Sequence, residues 1–134
     1  MRVVDTSLVV RATTTTDTRE RARLQDVILE SPAAISHVLA EAYSTLTRLP
    51  QPFRLSPRAC FTFLSSAFHS QPLTLSADGY LKVLRRVADR GIPGGAIFDC
   101  LIAETAREHD ATLLSLDERA ASSYALMGTK FELL

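Results

Sequence analysis

Tryptophan is absent from the 134 residues, and cysteine occurs only twice. Cys60 and Cys100 lie far apart, each inside an apolar helical pattern and without a second Cys or His at ligand spacing. Neither a disulfide framework nor a zinc site is expected, and both read as reduced core residues. No apolar run approaches the ~20 residues needed to span a bilayer. The opening Met1-Arg2-Val3-Val4 runs straight into a strand pattern, without the basic-then-apolar order of a secretory signal. A cytoplasmic protein without a membrane partner is the expectation. An excess of one charge is missing too: 15 basic residues balance 15 acidic ones. The summed field therefore steers no polyanion, and a nucleic-acid ligand would need a local basic patch.

Several catalytic signatures are also lacking. No Gly-x-x-x-x-Gly-Lys loop occurs, and Gly91-Ile92-Pro93-Gly94-Gly95 follows a helix pattern rather than a strand, so phosphate-loop nucleotide binding is excluded. Ser7 has no Gly-x-Ser-x-Gly elbow, which argues against a hydrolase triad. His37, His69 and His109 show no mutual spacing that suggests ligands or a relay. A phosphoaspartate enzyme of the haloacid-dehalogenase type needs a second acid two residues after the first, where Ser7 stands. A receiver domain needs an acidic pair and a late-strand Lys, neither of which is evident.

What is present is an alternation of strand and helix patterns in a chain sized for one domain, residues 1–134. Strand patterns occur at the N-terminus through Val4, at Ala33-Ala34-Ile35, Pro72–Leu75, Ala111–Leu116 and Lys130–Leu134. Helices are predicted over about Thr18–Glu30, from a Ser36 cap to before Pro50, from Pro57 to about Phe68, Ala77–Arg90 behind a Ser76 cap, Ala96–His109 and Glu118–Leu126. The Thr13–Thr16 run reads as a loop. This order predicts an α/β fold, a three-layer α/β/α sandwich around a parallel sheet of four to five strands.

Four acids fall where such a fold places ligands, in the crevice at the carboxyl ends of the strands. Asp5 ends the first apolar run and Asp117 a later one; Glu41 and Asp99 lie near the starts of helices that follow strand patterns. Each also has a plainer explanation. Asp5 and Asp117 suit helix N-caps, and Glu41 suits a solvated position beside its helix stripe. Asp99 resists it, because Gly95, Asp99, Ile102, Ala103 and Ala106 share a small apolar face, and a charge there must be paired or coordinate a metal. Ser115 is expected to orient the Asp117 carboxylate, while Thr6 and Ser7 supply hydroxyls beside Asp5. Asp17 and Asp78 read as caps or loop residues, Glu104 and Glu108 as solvated. Hard oxygen ligands select Mg²⁺ or Mn²⁺, and carboxylates around such ions suit phosphodiester cleavage.

The segments Val3-Val4-Asp5-Thr6-Ser7, Ser36 to Glu41, Asp99 to Ala103 and Leu114-Ser115-Leu116-Asp117, in this order and covering almost the whole chain, resemble the PIN domain ribonucleases, and most closely the VapC toxins of bacterial toxin–antitoxin pairs. The resemblance implies a Mg²⁺- or Mn²⁺-dependent endoribonuclease that cuts single-stranded or tRNA-loop RNA. It implies Asp5 and Asp99 as principal metal ligands, and Glu41 and Asp117 as the other members of a four-acid catalytic site. Ser7 and Ser115 become supporting hydroxyls, Ser115 standing where the family often has Thr. The implied partners are RNA, a cognate VapB-like antitoxin and a second copy in a homodimer. The alternative reading is a catalytically weak PIN-fold module that binds RNA or a partner. For the RNA surface, the basic helix faces Lys82, Arg85, Arg86, Arg90 and Arg19, Arg21, Arg23 are the candidates. Phe98 and Tyr43 are the stacking candidates near the acids, though each also suits a core.

Overall fold

In the central strand, Leu113 and Leu114 are both fully buried. Consecutive strand residues point to opposite faces, so this sheet is covered on both sides, which is the three-layer arrangement the sequence predicts. Residues 1–134 are all described, in a computed structural model. The strand is β2 (Thr112–Ser115), flanked by β1 (Arg2–Val4) and β3 (Phe131–Leu133) in the order β1-β2-β3. Both pairings are parallel, with Val3 opposite Leu113 and Leu113 opposite Phe131.

The sheet therefore has three strands, not the four to five expected. The strand patterns at Ala33–Ile35 and Pro72–Leu75 do meet in parallel, but only as a single bridge between Ile35 and Leu73. Leu73 N–H donates to Ala34 O at 2.8 Å, and Ser36 N–H to Leu73 O at 2.9 Å. On one side Ser70 N–H adds a bond to Pro32 O at 3.1 Å, and on the other a helix begins at Ser36, so no longer ladder forms.

Six helices lie between β1 and β2: α1 (Thr6–Thr14), α2 (Thr18–Leu29), α3 (Ser36–Leu46), α4 (Pro57–Ala67), α5 (Ala77–Asp89) and α6 (Ala96–Glu108). A 3₁₀ turn (Glu118–Ala120) and α7 (Ala121–Leu126) connect β2 to β3. Most caps are those predicted. Asp17 accepts from the N–H groups of Arg19 and Glu20, and Ser76 from that of Gly79. Two local expectations change. The Thr13–Thr16 segment is half helical, because α1 continues to Thr14. Ser36 is the first helical residue and not a cap; the N-cap is Ile35, which has no side-chain acceptor, and the Ser36 N–H goes to the Leu73 bridge.

Glu104, expected to be solvated, is only 1% exposed. The packing of α5 against α6 covers it, and Lys82 Nζ from α5 (3.1 Å) joins Arg107 Nη2 from its own helix (2.6 Å) on Oε1. A buried carboxylate persists only with such partners. Glu108 ties the same two helices at the other end, accepting the Ser76 N–H at 2.9 Å and its hydroxyl at 2.7 Å. Gly79 permits this approach, since a Cβ there would lie 2.5 Å from Glu108 Oε2. Cys60 and Cys100 are both free and buried, as expected. No helix is long and apolar enough to cross a membrane.

Candidate active site

The loop leaving β1 turns at once into α1, and Asp5 is the residue at that corner. Its backbone is extended, its N–H continues the sheet by donating to Leu114 O at 3.0 Å, and its carboxylate caps α1 by accepting the Leu8 N–H at 3.2 Å. The plain explanation thus holds, but it accounts for one of several bonds. Oδ1 also accepts from Ser7 Oγ at 2.5 Å, while Oδ2 accepts from Ser115 Oγ and from Tyr124 OH at 2.8 Å. Asp5 is 3% exposed, and these donors keep its charge tolerable there. The two serines act in both directions. Ser7 Oγ accepts the Leu116 N–H at 3.0 Å, and Ser115 Oγ accepts the Asp117 N–H at 2.9 Å. They lock the end of β2 to the start of α1. Ser115 consequently supports Asp5 and the Asp117 backbone, rather than the Asp117 carboxylate as expected.

Asp117 follows β2 and caps the 3₁₀ turn by accepting the Arg119 N–H at 2.9 Å. Asp99 sits in the first turn of α6, which has no side-chain cap. Glu41 comes from α3. Its Oε1 is buried and lies 3.0 Å from His37 Nε2, yet the two are not aligned for a hydrogen bond, so neither atom has a hydrogen-bonding partner. The expectation of a freely solvated Glu41 is therefore incorrect.

Asp5, Glu41, Asp99 and Asp117 line one cleft of about 540 Å³, bordered by Arg11 and Arg119. The Thr6 hydroxyl, also in the lining, is buried without a partner. Burial, and then the charges of Glu41, Asp117 and Asp5, raise the Asp99 carboxyl to about 6, against a weaker opposing effect of His37. Burial and the charge and hydrogen bond of Asp5 push the Tyr124 phenol well above its ordinary value. Tyr124 is accordingly a neutral donor at any working pH.

Reasoning from sequence missed Tyr124 and His37. No local signal marks Tyr124, because its bond spans 119 positions. His37 had one, its i, i+4 relation to Glu41 on a helix. Three residues of the candidate basic helix faces have partners within the chain. Lys82 is paired with Glu104, and Arg86 Nη1 and Arg21 Nη2 donate to the Leu126 and Thr15 carbonyls. None of these residues lines the acidic cleft, where the cations are Arg11 and Arg119. Phe98 and Tyr43 are exposed rather than core.

The donor set fits a hard divalent cation. All the facing donors are oxygens, the Asp99 carboxylate is raised by its neighbours, and Glu41 Oε1 is buried without a donor. No three His, Cys, Asp or Glu side chains converge closely enough to hold an ion alone. A Mg²⁺-like ion, which takes one or two carboxylates and completes its shell with water, suits that spacing.

Comparison with known proteins shows the family of the chain. The family model described as PIN domain matches residues 2–125. Ribonuclease VapC27 of Mycobacterium tuberculosis is 38% identical over 125 residues, covering 93% of this chain and 90% of that protein. Ribonuclease VapC40 of the same species is 37% identical over 100 residues, 75% of each chain. Among solved structures, VapBC2 from Rickettsia felis, bound to a DNA fragment from its promoter, matches with a TM-score of 0.69 at 18% identity, covering 99% of this chain and 98% of that one. At that identity the match speaks for the fold. With its fold, its length and its VapC relatives in accord, the chain belongs to the PIN domain family.

Proposed function

We propose that this chain is a metal-dependent endoribonuclease of the VapC type, the toxin of a toxin–antitoxin pair, with residues 1–134 acting as a single PIN domain. One observation carries the reading: four carboxylates from four separate elements line a single cleft, where burial and then the neighbouring acids lift Asp99 to about 6. Such an arrangement disfavours the ionised Asp99 in the free protein, and a bound cation offsets that. Relatives named ribonucleases at 37–38% identity support the same activity.

In this reading Asp5 and Asp99 hold the divalent ion, Mg²⁺ or Mn²⁺, and Glu41 and Asp117 complete the acidic site. The bound ion supplies positive charge that activates water and stabilises the leaving oxygen of the phosphodiester. The chain's own residues supply position and proton acceptance. Four donors fix Asp5, so its carboxylate does not need to reorganise when substrate arrives. Glu41 Oε1, buried and without a hydrogen-bond donor, is the acceptor for a proton from the attacking water. Arg11 and Arg119 border the cleft, where they offset phosphate charge. The Arg119 side chain is 96% exposed, with Nε 3.7 Å from Asp117 Oδ1.

The substrate class is single-stranded or tRNA-loop RNA, whose backbone can be bent into a cleft. A VapB-like antitoxin and a second copy of the chain are the protein partners, and the cytoplasm is the site of action. The decisive assay is RNA cleavage by purified protein. Cleavage requires Mg²⁺ or Mn²⁺ and stops with EDTA. Asp5→Asn or Asp99→Asn lowers it by about 100-fold or more, the usual scale for losing one preorganised charge-stabilising group. Undiminished cleavage by Asp99→Asn, or cleavage indifferent to EDTA, rules the proposal out. Induced expression followed by RNA end mapping then identifies the target.

A further inference from the structure

Between α3 and α6, next to the cleft residues Glu41 and Asp99 but outside the cleft lining, lies an aromatic pair that metal binding does not use. Phe98 immediately precedes Asp99 in the first turn of α6. Successive helix residues project about 100° apart, so Phe98 turns toward α3 rather than into the cleft with Asp99. There its ring stacks on His37, with centroids 5.4 Å apart and planes 14° from parallel. His37 in turn sets Nε2 3.0 Å from Glu41 Oε1. A line of contacts, Phe98 to His37 to Glu41, thus leads from the surface to the cleft.

Despite that stacking, Phe98 remains 49% exposed. A single exposed apolar residue is ordinary, so exposure alone decides nothing. What sets Phe98 apart is a ring plane fixed by a flat neighbour and a position one residue from Asp99. Gly94 and Gly95 precede it in the chain and bring no side chains to this end of α6. The ring is stacked on His37, and about half of the residue stays exposed.

We propose that Phe98 is a stacking platform for an unpaired base of the RNA strand that crosses the cleft, with His37 as the buttress that holds its plane. The proposal rests on the ribonuclease reading above and adds a nucleobase subsite to it. Unpaired bases bind aromatic rings through their π-faces, with little dependence on sequence. A base seated on Phe98 anchors its nucleotide next to the acids. Flexible single strands satisfy this geometry, whereas a base locked in a duplex does not. His37 acts through Phe98 and Glu41 and is a positioning residue.

The test uses the full chain carrying Asp5→Asn, which in this reading does not cleave. It is titrated with a short single-stranded oligoribonucleotide containing one 2-aminopurine, whose fluorescence is quenched by stacking. Phe98→Leu is expected to weaken binding about fivefold or more and to relieve the quench, the fold-change corresponding to ~1 kcal/mol or more of base–aromatic stacking. Phe98→Trp keeps both, and His37→Ala shows an intermediate loss. With Asp5 intact, Phe98→Leu raises KM more than it lowers kcat. Unaltered affinity and quench in Phe98→Leu overturn the platform and leave the ribonuclease reading standing. A change of oligomeric state in Phe98→Leu with the quench intact assigns the ring to an interface between copies, and also overturns it. Failure of the Phe98-intact protein to bind RNA at all strikes the ribonuclease reading itself, and the platform with it.

Discussion

Asp5 and Asp99 are both acids at element junctions, but the tertiary structure treats them in opposite ways. Asp5 is nearly fully buried and hydrogen-bonded by Ser7, Leu8, Ser115 and Tyr124. Asp99 is partly buried among like charges and rises to about 6. The difference gives two predictions. Tyr124→Phe removes one hydrogen bond to a buried carboxylate and should cost ~1.5–3 kcal/mol of stability at neutral pH, measured by urea unfolding. A loss no larger than that of an exposed substitution would mean that the remaining donors suffice. For Asp99 the sign follows from its raised value. Between 3.8 and about 6 the folded protein keeps a proton that the unfolded chain has released, so this residue's contribution to stability declines as pH rises through that window. Unfolding in EDTA across the window should show this decline in the unsubstituted protein and its weakening in Asp99→Asn. Equal slopes in the two proteins would remove the residue from the account.

At the scale of elements, the caps and stops were legible because they are local. Asp17, Ser76 and Pro57 each mark a helix start through bonds or φ angles within a few residues, and Gly91, at φ +63°, marks an end. The pairing of short strands was not local, and there the expectation overshot. Ala33–Ile35 and Pro72–Leu75 look like strands, yet they meet in one bridge before α3 begins at Ser36. Glu104 was misjudged for a related reason. Its helix position looked polar, but α5 covers it and contributes Lys82 from 22 residues away. Arg107→Met should therefore destabilise the protein toward the low end of the ~3–5 kcal/mol that breaking a buried ion pair costs, because Lys82 remains as a partner. Thermal unfolding tests this, and a neutral result would show that Lys82 alone satisfies the carboxylate.

For the whole molecule, a balanced charge total hides a strongly uneven one. The acids of the cleft come from β1, α3, α6 and β2 (or their ends) and face one another, while most Lys and Arg lie elsewhere. A cation that binds only the folded state stabilises it by mass action, by ~2.7 kcal/mol at a hundredfold excess over its dissociation constant. Mn²⁺ or Mg²⁺ should raise the unfolding temperature of the unsubstituted protein, and Asp99→Asn should abolish most of that rise. An equal shift in both would indicate weak binding elsewhere on the surface.

The sequence by itself determined the α/β class, six of the seven helices in their order, the free buried cysteines and the four acids of the cleft; α1 was not among the predicted helices. These follow from hydrophobic period, local capping and the kinds of residue placed at strand ends, all readable within short windows. Only the tertiary structure decided the company each acid keeps. Tyr124 reaches Asp5 across 119 positions, Ser115 turns to Asp5 instead of to the Asp117 carboxylate, and His37 stacks on Phe98 next to Glu41 and Asp99 but outside the cleft lining. The physical reason is that a carboxylate's charge state, orientation and accessible neighbours depend on burial and on donors brought together by packing, and packing pairs residues that no local pattern connects.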